Sequence, residues 1–369
     1  MGSRKIIAAG HICLDITPVF PAGRAYAGVG ELLTPGKLIH MEPADVHTGG
    51  SVANTGLALK ILGNDVTLMG KVGDDAFGAM VRAILAQHGA EGLVVDLDSS
   101  TSYSVVLAVP GVDRIFLHNP GANDTFSGRD IPEEALEDAV LFHFGYPPLM
   151  RKMYENSGRE LVGLFARVKA KGIATSLDFA AIDPASEAGQ VDWQAVLCAA
   201  LPYVDFFLPS FEELCLMLDR EKYDRLVALG GDMARHLDMG RDVKPLAQKL
   251  LRMGAKAVLI KCGTAGMYYC TGDMAGAGSR LALDSTAWGH QQGVQPCFKA
   301  DIVRSATGAG DTSIAAYLTA VLLGKTPQEC AALAAAEGAC AVATYDALGG
   351  LQPIEALEAR IAAGWQTMA

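Results

Sequence analysis

The sequence predicts an α/β protein with a doubly wound, mostly parallel central sheet flanked by helices, and with a small β lid. Three observations carry this prediction. Short β-branched or aromatic runs alternate with helical stretches along the 369 residues. Half of the residues are hydrophobic and only 19% are charged, which suits a large aliphatic core. Two segments rich in Gly, Pro or β-branched residues break the alternation and predict the lid.

The strand candidates are mostly unalternated apolar runs, which are typical of strands buried on both faces of a parallel sheet. They are 5–9, 66–70, 92–97, 140–144, 174–178, 204–208 and 257–261. The helix candidates are 52–62, 76–88, 153–171, 193–201, 211–218, 245–253, 312–323 and 327–344. Alternation of elements of this length indicates a doubly wound sheet.

Residues 16–47 and 101–118 form the predicted lid. Neither segment has a helical pattern, and the second contains two β runs joined by a PGVD turn. We expect the two segments to pair beside a main domain made of 1–15, 48–100 and 119–369. The alternative is that both are long surface loops.

Charge and cysteine content restrict the classes of partner. The formal net charge is −11, and an acidic surface repels nucleic-acid backbones and anionic membranes. No apolar run reaches the roughly 18 residues of a membrane span, and the N-terminal run predicts a first strand, not a signal peptide. The eight cysteines are scattered without a CxxC pair, which favours reduced core thiols. We therefore expect a cytoplasmic protein with a small-molecule ligand, without nucleic-acid or membrane partners.

The stretch TGAGD (307–311) precedes an apolar helix and contains the strongest candidate site. Gly308 and Gly310 let the backbone turn tightly and approach a ligand without Cβ obstruction. The free N–H groups and the dipole of the helix N-terminus favour an anion. Asp311 either caps this helix or takes a proton from a hydroxyl that attacks a phosphoryl group bound over the amides. These five residues alone leave both alternatives open.

Two further clusters precede TGAGD in the chain. In TGGSVAN (48–54), Gly49 and Gly50 come before a helix whose first turn contains Asn54. An amide beside bare backbone suits hydrogen bonding to hydroxyl groups, although a simple Gly-rich turn would have the same pattern. Asp15 follows the first strand, where open α/β sheets bind their ligands.

Together these motifs resemble those of the ribokinase-like (PfkB) family of carbohydrate kinases, over nearly the whole chain. The stretch AGHICLD, which ends at Asp15, resembles the family's strand and acid that bind sugar hydroxyls. The spacing of the first family signature is reproduced by Gly49, Gly50, Asn54, Gly63 and Gly73. TGAGD matches the core of the second signature. KCGTAG (261–266) resembles the strand and turn that border the nucleotide, and PSFEE (209–213) resembles the Asn-x-x-Glu motif.

The resemblance implies transfer of the ATP γ-phosphoryl group to a primary hydroxyl of a sugar or sugar-like acceptor. Asp311 would be the base, and the amides from Gly308 through Ala309 and Gly310 to Asp311 would form the anion hole. The acceptor would be held by Asp15, Gly49, Gly50 and Asn54. The nucleotide would be bordered by Ser210, Lys261, Gly263, Gly266 and Thr307, with Mg²⁺ near Glu213.

Four positions named here depart from the family pattern. Ser305 and Ala306 stand where an Asp-Thr pair usually precedes the Thr-Gly, so the monovalent-cation (K⁺) site that the resemblance implies lacks its usual carboxylate. Ser210 replaces the Asn of Asn-x-x-Glu, and Ala335 stands where many relatives carry an Asn near the adenine.

Other functions on the same fold stay open at this point. A nucleoside acceptor would need an apolar slot for its base, for which the chain offers Tyr26, Tyr103 and Phe116. An acceptor that already carries a phosphate would need cations, for which it offers Arg24, Lys37 and Arg114. A non-catalytic sensor of sugars or nucleotides is the alternative from another class. The edges of a small lid sheet need cover, which favours a homodimer through the lid.

Overall fold

The computed structural model describes residues 5–21, 23, 28–32, 34–110, 114–344 and 346–368. Its strands are β1 (Lys5–Gly10), β2 (Cys13–Val19), β3 (Glu42–Gly49), β4 (Asp65–Met69), β5 (Lys71–Gly73), β6 (Val94–Asp96), β7 (Tyr103–Leu107), β8 (Ile115–Asn119), β9 (Ala139–Gly145), β10 (Ala174–Asp178), β11 (Phe206–Phe207), β12 (Ala257–Lys261), β13 (Met267–Thr271) and β14 (Gln292–Gln295).

The helices alternate with these strands through most of the chain. They are α1 (Val29–Leu32), α2 (Ser51–Ile61), α3 (Ala76–Gln87), α4 (Arg151–Ala170), α5 (Trp193–Ala200), α6 (Phe211–Leu218), α7 (Arg220–Ala228), α8 (Lys244–Arg252), α9 (Ser285–Trp288), α10 (Ala309–Leu322), α11 (Pro327–Ala341) and α12 (Ile354–Ala362). In the described part of the chain, no helix combines the length and the apolar character needed to cross a membrane.

An eight-stranded sheet forms the centre, in the order β14-β13-β12-β11-β10-β9-β1-β4. The pairs from β12 to β4 are parallel, whereas β13 and β14 add an antiparallel edge. Successive residues of β1 alternate between two cores. Ile6 and Ala8 pack with α2, α10 and α11 on one face, and Ile7 and Ala9 pack with α4, α5 and α8 on the other. The predicted parallel sheet with helices on both faces is confirmed.

A second sheet, which we call the lid sheet, consists of β3, β2, β7 and β8 in this order. Its β2 strand pairs with β3 in antiparallel and with β7 in parallel, and β7 and β8 form a hairpin. The lid sheet draws its strands from the two segments that break the alternation and reaches a few residues beyond them. Arg24 and Tyr26, named above as acceptor candidates, lie outside the described residues.

Several local predictions differ from the structure. In 92–97 only Val94–Asp96 is a strand, and its residues are only partly buried. It pairs with β5 in a separate two-stranded sheet. The strand in 204–208 shrinks to Phe206–Phe207. The antiparallel strands β13 and β14 escaped prediction, since β13 follows β12 after a tight turn without an intervening helix. A one-turn helix, α1, lies in the segment expected to contain none.

Candidate active site

Asp311 lies in the first turn of α10, which begins directly after Gly308. Gly308 has φ 72°, and a Cβ there would stand 2.3 Å from the Cβ of Ala347, so both its conformation and its surroundings require glycine. The first hydrogen bond of the helix runs from the Thr312 N–H to the Gly308 carbonyl at 2.9 Å. Because the N–H groups of a first turn have no acceptor within the helix, Gly310 and Asp311 present backbone donors there, whereas the Ala309 N–H donates to the Ala306 carbonyl at 3.4 Å.

The Asp311 carboxylate is buried and accepts hydrogen bonds from three side chains. Asn54 Nδ2 donates to Oδ2 at 3.2 Å, and Thr55 Oγ1 donates to Oδ1 at 2.9 Å. The Tyr146 hydroxyl lies 2.8 Å from each of the two carboxylate oxygens. None of these donors belongs to α10, so Asp311 bonds away from its own helix, unlike an N-cap, whose oxygen accepts from its own first turn. This geometry disfavours the capping alternative.

A buried ion pair stands beside this turn. Lys261, the last residue of β12, places its Nζ 2.8 Å from Oδ1 of Asp178, the last residue of β10. A Cβ on Gly310 would lie 3.8 Å from the same Nζ, so the ammonium group borders the N-terminus of α10. A cation and free N–H groups therefore adjoin each other, which is a suitable environment for a phosphate.

Several carboxylates surround this single ammonium group. Burial raises the pKa of the Asp178 carboxyl above its ordinary value; Lys261 opposes the rise, while Glu213 and Asp311 add to it. Burial by itself would lower the pKa of Lys261, but Asp178 and Glu213 together hold it above its ordinary value. The negative charge exceeds what one lysine balances, and this excess fits a divalent cation near Glu213.

Ser210 and Glu213 bind each other across the start of α6. The Glu213 N–H donates to Ser210 Oγ at 3.2 Å, and the Ser210 N–H donates to Glu213 Oε2 at 2.8 Å, which is a capping box. One oxygen of Glu213 therefore has a structural partner. In the described residues no group of three or more His, Cys, Asp or Glu side chains is arranged to hold a metal ion, so Mg²⁺ here would depend on phosphate oxygens and water for most of its ligands.

The remaining nucleotide-side candidates lie in two turns. Gly263 and Gly266 have φ 53° and 100° in the connection between β12 and β13, and a Cβ on Gly266 would stand 2.4 Å from the Gln295 carbonyl oxygen. Thr307 is held by Ser305, whose Oγ lies 2.7 Å from Thr307 Oγ1. The chain thus has a paired hydroxyl and a methyl group at positions 305 and 306, and neither supplies the carboxylate that the resemblance implies for a K⁺ site.

Asp15 follows the first strand, as expected from the sequence, and it lies within a further strand, β2. A Cβ on Gly49, in the neighbouring β3, would stand 2.1 Å from Asp15 Oδ2, so only glycine leaves room for this carboxylate. Cys13 Sγ donates to Asp15 Oδ1 at 3.2 Å. Burial raises the pKa of Asp15, and hydrogen bonds from Cys13 and Ser104 oppose the rise.

Gly50 connects the lid sheet to α2. It has φ 86°, and a Cβ there would stand 2.5 Å from both Nδ1 and the carbonyl oxygen of His11. The His11 ring lies between His118 of β8, at 5.2 Å, and Tyr146, at 6.1 Å between ring centroids. These rings form a continuous wall from the lid sheet to the hydroxyl that binds Asp311.

The structure brings Asp311, Asn54, Lys261 and Gly310 into one cluster. It sets Asp15 against Gly49, the last residue of β3, just before α2 begins. The sequence did not indicate Thr55, Tyr146, Asp178 or His11 as site residues. Position could have identified two of these, because Asp178 and Tyr146 stand at the carboxyl ends of β10 and β9, where open sheets bind ligands. Asn54, expected to bind an acceptor, donates one amide hydrogen to Asp311.

Comparison with known protein sequences finds similarity to fructokinases. The fructokinase-1 of Zea mays is 29% identical over 148 residues, and that of Oryza sativa subsp. japonica is 30% identical over 148 residues. Each match covers 39% of this chain and 42% of the relative, so the similarity spans about two fifths of those proteins.

Solved structures are similar over almost the whole chain. A fructokinase with bound ATP from Xylella fastidiosa superimposes with a TM-score of 0.70 at 19% identity, covering 98% of this chain and 99% of that one. An Arabidopsis thaliana ribokinase complexed with ribose and ATP gives 0.69 at 19% identity, covering 97% and 98%. The ribokinase-like fold predicted from the sequence is therefore confirmed.

The sequence profile of one family extends over most of the chain. Residues 24–353 match the family described as pfkB family carbohydrate kinase. This range includes Asp311, Lys261 and the first turn of α2, so the cluster described above lies within the matched region. The chain belongs to the pfkB family of carbohydrate kinases.

Proposed function

We propose that the protein transfers the γ-phosphoryl group of ATP to a primary hydroxyl of a sugar or sugar-like acceptor. The observation that carries this proposal is the position of Asp311. Its carboxylate stands in the first turn of α10 beside free backbone N–H groups and the Lys261 ammonium, and three side chains hold it. A base and an anion site thus adjoin each other, which is the requirement for activating a hydroxyl against a phosphoryl group.

In the proposed reaction the acceptor oxygen attacks the γ-phosphorus and its proton passes to Asp311. A new P–O bond forms to the acceptor, the bond between the γ-phosphorus and the bridging oxygen breaks, and ADP leaves. The amides from Gly308 to Asp311 and the Lys261 ammonium stabilise the charge on the transferring group. Ser210, Gly263, Gly266 and Thr307 border the nucleotide. Mg²⁺ held near Glu213, largely through water, would neutralise phosphate charge, and no step depends on K⁺.

The acceptor occupies the space between Asp311 and the lid sheet in this proposal. Asp15 binds its hydroxyl groups, and Gly49 and Gly50 leave room for it, while the lid sheet covers the site and excludes water. The names of the relatives support a sugar: fructokinases in the sequence comparison, and a ribokinase complexed with ribose among the structures. Two of the rings offered for a nucleoside base already have neighbours: Tyr103 packs against Phe77, and Arg114 lies over Phe116.

A screen of ADP release tests the proposal. The panel contains D-fructose, D-ribose, other pentoses and hexoses, sugar acids, polyols and nucleosides, with Asp311→Asn as the blank. We expect a sugar or a sugar-like alcohol to give the highest kcat/KM, and Asp311→Asn to lower kcat by at least about 10²-fold with ATP binding retained. ATP binding without turnover across the whole panel would instead indicate a sensor, and near-full activity of Asp311→Asn would remove the base assignment.

We also propose a homodimer through the lid sheet. Its edge strands are β3 and β8, and Phe116 and Leu117 of β8 are exposed. An exposed edge with apolar side chains favours pairing with a second copy. Sedimentation at micromolar concentration should show a dimer that Leu117→Lys weakens, and a monomer alone would contradict it. A cytoplasmic location stays a prediction from the sequence.

A further inference from the structure

The Tyr146 hydroxyl is hydrogen-bonded to both oxygens of the Asp311 carboxylate. Its hydroxyl lies 2.8 Å from Oδ1 and 2.8 Å from Oδ2, so it donates one hydrogen shared between them. Burial, followed by the neighbouring Asp311 and Asp178, raises the pKa of Tyr146 well above its ordinary value. The phenol is therefore neutral at physiological pH, and it donates a hydrogen bond to Asp311 without giving up its proton.

Few acceptor positions are left on Asp311 in this arrangement. An ionised carboxylate has about four lone-pair positions for hydrogen bonds. Thr55 occupies one on Oδ1, Asn54 occupies one on Oδ2, and the bifurcated Tyr146 hydroxyl faces one on each oxygen. A substrate hydroxyl must come within hydrogen-bond distance of the same oxygens before it can lose its proton. It therefore has to replace the phenol.

The backbone holds Tyr146 in this place. Its φ and ψ are 67° and 42°, a left-handed conformation that costs a residue with a Cβ roughly 1–2 kcal/mol. The Tyr146 N–H donates to the Asp178 carbonyl at 3.1 Å, and Pro147 and Pro148 follow directly. Tyr146 as a whole residue is partly exposed, although its hydroxyl lies in a buried environment. With the backbone fixed, rotation of the side chain is the motion that would take the phenol off Asp311.

We propose that Tyr146 is a gate on the base: its phenol covers Asp311 until an acceptor hydroxyl displaces it, so that Asp311 does not activate water. This inference rests on the proposed function. In an ungated enzyme, a water oxygen would attack the γ-phosphorus of bound ATP and its proton would pass to Asp311. The bond to the bridging oxygen would break, and phosphate and ADP would be released. Tyr146 is thus a positioning residue that selects alcohols over water.

The test measures hydrolysis of ATP–Mg²⁺ by the full chain without any sugar. Tyr146→Phe keeps the ring against His11 and removes only the hydroxyl, so acceptor-free ADP release should rise by about tenfold or more. The double variant Tyr146→Phe/Asp311→Asn should return to background, because the water then has no base. The matched control is Tyr268→Phe in β13, which loses a single hydrogen bond, to Gln292 Oε1 of the edge strand β14, and should leave the rate unchanged.

A second readout uses the substrate that the screen identifies, with D-fructose as the first probe. Without the phenol the acceptor no longer competes for Asp311, so its KM should fall severalfold while kcat stays within about twofold. A residue with only a structural role would not combine a lower KM with faster hydrolysis. Tyr146→Leu removes the hydroxyl together with the ring and should raise hydrolysis in the same way, which covers the case that the Phe variant fails to fold.

Each outcome decides between gate and no gate. Unchanged acceptor-free hydrolysis in folded Tyr146→Phe or Tyr146→Leu would overturn the proposal. So would a rise that persists in the double variant, because the phenol would then act without Asp311. If no compound in the panel is phosphorylated, the proposed function fails by itself, while the gate is still judged by the hydrolysis of ATP alone.

Discussion

Asp311 and Asp15 are two carboxylates near the start of α2, and their contacts come from different parts of the molecule. The partners of Asp311 come from α2 and from the end of β9, and they are separated from it by 165 to 257 residues in the sequence. The partners of Asp15 belong to the lid sheet, where Cys13 donates to it and Gly49 packs against it. The proposed base, Asp311, is thus held by the main core, and Asp15, proposed to bind the acceptor, is held by the lid sheet.

This difference separates turnover from acceptor affinity. Substitutions in the lid sheet should change the KM of the acceptor and leave ATP binding alone. Substitutions of Asn54 or Thr55, the partners of Asp311 that belong to α2, should change kcat. The first three variants below each test one side of this division.

Asp15→Asn should have the largest effect of the four variants, raising the acceptor KM by about 100-fold, because a charged hydrogen-bonding group contributes roughly 1.5–3 kcal/mol. Since burial raises the pKa of Asp15, the wild-type enzyme should lose acceptor affinity on acidification above the ordinary carboxyl range. The Asn variant should lack this acidic limb. Steady-state kinetics from pH 4 to 8 would measure both, and a lowered kcat with an unchanged acceptor KM would contradict the division.

Gly49→Ala should raise the acceptor KM by about 30-fold, because the new Cβ would stand 2.1 Å from Asp15 Oδ2 and displace this carboxylate. The expected change corresponds to about 2 kcal/mol. Gly163→Ala is the matched control, since a Cβ at Gly163 in α4 meets nothing within 4 Å. An acceptor KM equal to that of the control would mean that Asp15 does not bind the acceptor.

Thr55→Val should lower kcat by about tenfold with little change in the acceptor KM, because Asp311 loses one of the three donors that orient it. Thr319→Val is the control, since Thr319 donates to the Ala315 carbonyl farther along α10. If Thr55→Val changed the acceptor KM and left kcat alone, the two carboxylates would not have separate roles.

Glu337→Gln tests another buried carboxylate, in α11, and its expected effect is on stability alone. Burial raises the pKa of Glu337 to about 7, so the folded protein holds a proton that the unfolded chain has released. Stability should therefore fall as the pH rises from about 4.5 to about 7, and at pH 8 the Gln variant should be more stable by about 1–3 kcal/mol. Urea unfolding at pH 4.5 and pH 8 measures this, with the exposed Glu355→Gln as control. An equal effect of Glu337→Gln at both pH values would refute it.

The sequence predicted the elements with a continuous apolar pattern. Examples are β1, which is buried on both faces of the sheet, and α10, whose apolar residues follow TGAGD. The sequence indicated Asp311 and Asp15 as candidates because motifs and strand ends place such residues locally. It gave no signal for Thr55, because the contact of Thr55 with Asp311 joins two helices that are far apart in the sequence. The strand around Asp15 escaped because its hydrogen bonds are made to segments far along the chain.

The lid sheet consists of two excursions from the main sheet, one between β1 and α2 and the other between β6 and β9. Among the described residues of these two excursions, none donates a hydrogen bond to Asp311. Mutations can therefore accumulate in the excursions without disturbing the base, and the specificity of a descendant enzyme can drift while its reaction is inherited. In an enzyme built this way, selection for a new acceptor acts mainly on the lid sheet, and selection for phosphoryl transfer preserves the residues around Asp311.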